Sequence, residues 1–148
     1  MVKTVKIFAL LFAMTMTVFS LSACNDELKI ENYEWRLSTV QSSANGRVVA
    51  YSATSLFGGA VAYPDAPTVE MSLVAKDGRI TITDETNNKT YDGTYSLDAI
   101  TPDSRNYIIT VDGEQGYAGV AMTTYADGSK TPTLPITLGE YSLYFYAD

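Results

Sequence analysis

Four dipeptides punctuate this chain, Asn45-Gly46, Asp77-Gly78, Asp112-Gly113 and Asp127-Gly128, and they lie between short runs in which bulky apolar and polar side chains alternate. Such pairs suit tight hairpin turns, because Gly has no Cβ to clash at positive φ and Asn and Asp tolerate that region. Alternation at period two is the mark of a half-buried strand. Trp35-Arg36-Leu37-Ser38-Thr39-Val40 is the first such run, and residues 47–52 pair back across Asn45-Gly46. Residues 69–75 and 79–83 flank Asp77-Gly78, and residues 90–97 carry Tyr91, Gly93, Tyr95 and Leu97 on alternate positions. Residues 106–111 and 117–125 form another hairpin, with Tyr107, Ile109 and Val111 on one face. Residues 133–138 lead through Gly139-Glu140 into a last strand, 141–146. Eight or nine short strands at nearly even spacing define an all-β fold. Sequential hairpins favour an antiparallel up-and-down barrel over a sandwich, since consecutive strands lie adjacent and closure removes exposed edges. An interior of that size holds either side chains or one small ligand, and the sequence leaves both open.

The first residues read differently. Lys3 and Lys6 give a positive start, residues 7–19 are apolar apart from Thr15 and Thr17, and Leu21-Ser22-Ala23-Cys24 follows. A spanning helix needs ~20 apolar residues, so this run is too short and reads as the core of an export signal. Leu21-Ser22-Ala23-Cys24 resembles the lipobox of bacterial lipoproteins. That resemblance implies diacylglycerol on Cys24 and cleavage between Ala23 and Cys24, so residues 1–23 are a lipoprotein signal peptide. Cys24 is the only cysteine, so no disulfide can form within the chain. An exposed unpaired thiol would be a liability in an oxidising compartment, whereas two acyl chains make a stable anchor. The protein is expected on the extracytoplasmic face of the cell membrane, held by lipid. Residues 24–33, with Asp26, Glu27 and Glu31, read as a lipidated tether, and residues 34–148 as a single β-barrel domain.

Seventeen acidic residues face ten basic ones, and Lys3 and Lys6 leave with the signal. Nucleic acid, whose phosphates need clustered Lys and Arg, is not an expected partner. The chain contains no His, which removes the commonest general base and metal ligand together. The lone cysteine is taken by lipid, no phosphate loop or Gly-x-Ser-x-Gly is present, and Lys76, Lys89 and Lys130 fall in or beside turns. No enzyme activity, cofactor or metal is expected. The acidic turn Asp84-Glu85-Thr86-Asn87-Asn88, with Asp92 nearby, lacks the calcium-loop spacing and reads as a solvated hairpin tip. The eleven tyrosines suit strands, burying the ring and wetting the hydroxyl.

The connector at residues 53–67 is longer than a hairpin needs and carries Leu56, Phe57, Val61 and Tyr63. Long connectors in compact domains commonly act as lids or binding loops, so these four are the candidate binding loop, expected over one mouth of the barrel. Trp35-Arg36-Leu37, Tyr91-x-Gly93-x-Tyr95 and Tyr141-Ser142-Leu143-Tyr144-Phe145 together resemble the lipocalin-like domains of small bacterial lipoproteins. The resemblance implies an eight-stranded barrel whose closed end is plugged by Trp35, and functions that run from carrying small apolar molecules to no ligand at all. Two positions depart from that family: Tyr33 stands where it has Gly, and the last strand lacks its late basic residue. The expected function is a monomeric, membrane-anchored binding module for a small apolar ligand or an envelope protein. The alternative is a structural or assembly-accessory lipoprotein with no ligand.

Overall fold

The alternating runs close into a barrel. The computed structural model describes residues 27–54 and 63–148, and nine strands form among them. They are β1 (Trp35–Ser42), β2 (Val48–Tyr51), β3 (Met71–Lys76), β4 (Arg79–Asp84), β5 (Lys89–Ile100), β6 (Ser104–Val111), β7 (Glu114–Thr124), β8 (Lys130–Leu138) and β9 (Tyr141–Ala147). From β3 to β9 each strand pairs antiparallel with the next, and β9 closes the ring on β1, with Trp35 opposite Ala147 and Ser42 opposite Tyr141. On its other side β1 pairs with β3 near its start (Trp35 opposite Leu73) and with β2 near its end (Thr39 opposite Tyr51). β2 and β3 therefore run the same way and share one position in the wall. The fold is an eight-stranded antiparallel barrel with one extra strand, as the hairpin pattern predicts.

Turn chemistry explains the hairpins, with two corrections: at Asn45-Gly46 and at Asp127-Gly128 only the Gly has positive φ, 83° at Gly128. Asp77 and Gly78 have φ of 51° and 77°, and Asp112 and Gly113 have 49° and 82°. Positive φ at both central positions is the two-residue turn whose twist matches the flanking strands. At Asn45-Gly46 only Gly46 is positive, at 69°. That loop is wider: the Gly46 amide donates to the Ser42 carbonyl at 2.8 Å, and Asn45 Oδ1 accepts from the Arg47 amide at 2.9 Å. The Asn side chain thus braces the loop from outside its backbone.

The period-two pattern sorts the side chains. Leu37, Leu73, Ile80, Ile82, Ile109, Val120, Leu134, Ile136 and Phe145 are buried in one apolar core inside the barrel. At ~1.5–3 kcal/mol for each fully buried large apolar side chain, this interior is the main source of stability. The opposite faces carry Arg36, Ser72, Thr81, Thr83, Asp92, Thr94, Thr110 and Thr137, with Val74, Tyr117 and Tyr144 exposed among them. Among the described residues, no helix is long and apolar enough to cross a membrane.

One end of the barrel is sealed by residues expected to be tether. Leu28 is 5% exposed and Ile30 is fully buried, and a single 3-10 turn, Ile30–Asn32, lies across the opening. Trp35, also fully buried, donates from Nε1 to the Ile30 carbonyl at 2.9 Å, and the Ile30 amide donates to the Tyr107 hydroxyl at 3.2 Å. Tyr33 packs edge-on against Trp35 with ring centres 5.3 Å apart, and its hydroxyl donates to the Glu27 carbonyl at 2.7 Å. Beside this plug, burial and then the nearby Glu31 carboxylate push the Tyr95 phenol up to about 12. Leu28 and Ile30, read from the sequence as tether, are thus packed into the core, because the open end of the barrel buries their apolar surface.

Candidate functional site

The other end stays open. The turns after β1, β4, β6 and β8 all lie there, as the strand directions require. The last inward-facing residues of several strands surround a cavity of about 330 Å³ at this mouth. Met71 of β3, Ile82 of β4, Tyr91 of β5, Val111 of β6, Leu138 of β8 and Tyr141 and Leu143 of β9 line it. Each comes from the inward set of its strand, near the end of that strand at the mouth. Below them the barrel is filled by Leu37, Ile80, Ile109, Leu134 and Phe145, so the cavity has an apolar floor. Its volume lies at the lower end of the range typical of small-molecule sites, ~300–1,000 Å³.

Two charged side chains complete the lining, Asp112 and Glu114, which flank Gly113 in the β6–β7 turn. Glu114 lies over Gly139 of the neighbouring β8–β9 turn, close enough that a Cβ at Gly139 would overlap its carboxylate. Gly139 has φ of 56°, so it serves the turn and also leaves room for Glu114. No Lys or Arg lines the cavity.

Of the residues expected to bind, Leu56, Phe57 and Val61 lie outside the described residues, as does Cys24. Tyr63 is described, and it does not line the mouth cavity. Ala50 packs against the core opposite Val40, so its neighbour Tyr51 faces outward. Tyr51 is nonetheless buried, and Tyr63 packs beside it with ring centres 6.0 Å apart. The returning chain then hydrogen-bonds to the free edge of β2: the Tyr51 amide donates to the Pro67 carbonyl at 3.2 Å, and the Val69 amide to the Tyr51 carbonyl at 2.9 Å. The described ends of the connector thus pad the outer wall. An open groove of about 620 Å³ runs beside them, lined by Gln41, Arg47, Val48, Tyr63 and Asp65, and is more polar than the mouth.

Glu70, which the sequence reading passed over, holds the base of this connector. Its carboxylate accepts from the Ser52 hydroxyl and the Ala53 amide, both at 2.8 Å, while its own amide donates to Thr86 Oγ1 at 2.8 Å. The carboxylates of the acidic turn are likewise engaged. Asp84, 3% exposed, accepts from the amide and side chain of Asn87 at 2.9 and 2.8 Å, and Asp92 accepts from Thr81 at 2.9 Å.

No protein family matches the chain, and neither a curated protein nor a solved structure is detectably similar to it.

Proposed function

We propose that the chain is a lipid-anchored envelope protein whose barrel binds a small apolar molecule at its open mouth, in the manner of the lipocalin-like domains it resembles. The observation that carries this reading is the mouth cavity, with its apolar floor and its ring of inward residues from six strands. The position of the anchor supports it. Residue 27 lies at the closed end, and three residues beyond Cys24 reach at most ~10 Å, so an acylated Cys24 would hold that end against the bilayer. The mouth then faces away from the membrane and is open to solutes or to a partner. No catalytic role is assigned to any residue.

The anchor has its own test. Cys24→Ala should abolish incorporation of a labelled fatty acid and leave the precursor uncleaved, whereas the parent chain should label. A parent chain that stays unlabelled removes the lipoprotein reading. For the ligand, native mass spectrometry of residues 25–148 after mild purification should show a co-purified small molecule, lost in Leu143→Arg. That segment contains every described strand and every described residue of the buried core.

The second reading, an accessory lipoprotein without ligand, is favoured by one observation: below the mouth the barrel interior is occupied by its own side chains. Under it the purified domain carries nothing, and Leu143→Arg shifts its mass only by the substitution itself.

A further inference from the structure

The geometry points to a particular ligand chemistry, resting on the mouth as the binding site: an apolar chain or ring bearing a cationic head, such as an alkylammonium. The cavity has two zones. Met71, Ile82, Val111, Leu138 and Leu143 supply an apolar interior, and both charged groups in the lining, Asp112 and Glu114, are carboxylates. Neither carboxylate makes an ion pair or side-chain hydrogen bond with any other described residue. This sets them apart from Glu70, Asp84, Asp92 and Asp127, whose carboxylates are taken up by neighbouring amides and hydroxyls.

The two acids sit where a bound head group would emerge. Asp112 and Glu114 flank the tip of the β6–β7 hairpin, and Glu114 is laid over the Cβ-less Gly139 of the next hairpin, so their charge lies beside the opening. Two like charges on a rim above a low-dielectric floor raise the local concentration of a cation and repel an anion. Two aromatic residues in the lining, Tyr91 and Tyr141, add faces that attract an ammonium group electrostatically. A fatty acid meets the opposite conditions, since its carboxylate would emerge beside two others with no Lys or Arg in the lining to pair with it.

The test compares three probes of one chain length on residues 25–148 by isothermal titration calorimetry: octylammonium, octanol and octanoate. Octylammonium should bind at least about tenfold more tightly than octanoate, with octanol between them. Asp112→Asn with Glu114→Gln should bring octylammonium down to the octanol affinity and leave octanol unchanged. Asn tolerates the positive φ of residue 112, so this variant should fold. Leu143→Arg should abolish binding of all three. Equal affinities for the three probes, or an octylammonium preference that survives the double variant, overturn the charge selectivity while the apolar site stands. Octylammonium binding undiminished in Leu143→Arg would mean diffuse attraction to an acidic protein and also overturns the proposal. Failure of all three probes to bind the parent domain overturns the mouth as a site, and the selectivity with it.

Discussion

Trp35→Ala should destabilise the domain by ~3–5 kcal/mol, the cost of losing a large buried aromatic and leaving a cavity behind. Trp35 is fully buried at the closed end, where it touches both the barrel core and the 3-10 turn that seals it. Its indole N–H also satisfies the Ile30 carbonyl, which truncation leaves without that donor. Trp35→Phe separates the two contributions: it retains most of the ring volume and loses the hydrogen bond, so its cost should be smaller, ~1–3 kcal/mol. Trp35 is the only Trp, so fluorescence reports on this place alone. A blue-shifted emission maximum, weakly quenched by iodide or acrylamide, is expected. Emission like that of free Trp in water, together with a stable Trp35→Ala variant, would remove the plug.

The plug shows where sequence reading stops. Strand positions were legible because each carries several alternating residues, and inward side chains such as Tyr107, Ile109 and Val111 follow that period without exception. The segment before Trp35 has only Leu28 and Ile30 among polar and acidic neighbours, and a three-residue 3-10 turn is too short for any period to register. Its burial is decided by the open end of a core built from residues far along the chain. Tyr107, which accepts from the Ile30 amide, is 77 positions away.

The site was legible in its parts and not as a whole. Alternation identifies Tyr91, Val111 and Leu143 as inward, but it does not say at which level the interior stops being filled. That level follows from register, which brings the ends of β3, β4, β5, β6, β8 and β9 together at one mouth. The place of Tyr63 was not legible for a related reason. An aromatic on a long connector suits a lid, yet Tyr51 of β2 faces outward and Tyr63 packs against its ring. Asn45-Gly46 misled more locally, since the dipeptide allows a two-residue turn without requiring one.

Gly93→Ala is expected to be among the most damaging single-methyl changes in the chain, costing more than ~3 kcal/mol, in the tail of the distribution for point substitutions. Gly93 sits on the inward set of β5 between Tyr91 and Tyr95, paired with Ile80 on one side and Val111 on the other. A Cβ there would overlap the Thr110 carbonyl oxygen and come within 3.0 Å of the Val111 Cα. Those are backbone atoms of the neighbouring strand, so no rotamer can move aside, and relief requires β5 and β6 to part. Gly in a strand often marks a close approach of backbones or a bend at a barrel corner, which is the role here. Gly119→Ala is the control. Its nearest neighbour is the Asn106 Oδ1 at 3.0 Å, the end of a side chain that can rotate away. Replacing Gly by Ala within regular structure otherwise gains ~0.5–1 kcal/mol by restricting the unfolded chain, so Gly119→Ala should be neutral or mildly stabilising. Urea unfolding of the two variants separates them: a midpoint lost or sharply lowered for Gly93→Ala, and one unchanged or raised for Gly119→Ala. Equal midpoints would mean that β5 and β6 do not approach as closely as this barrel requires, and that the wall beside Tyr91 is wider than the mouth described.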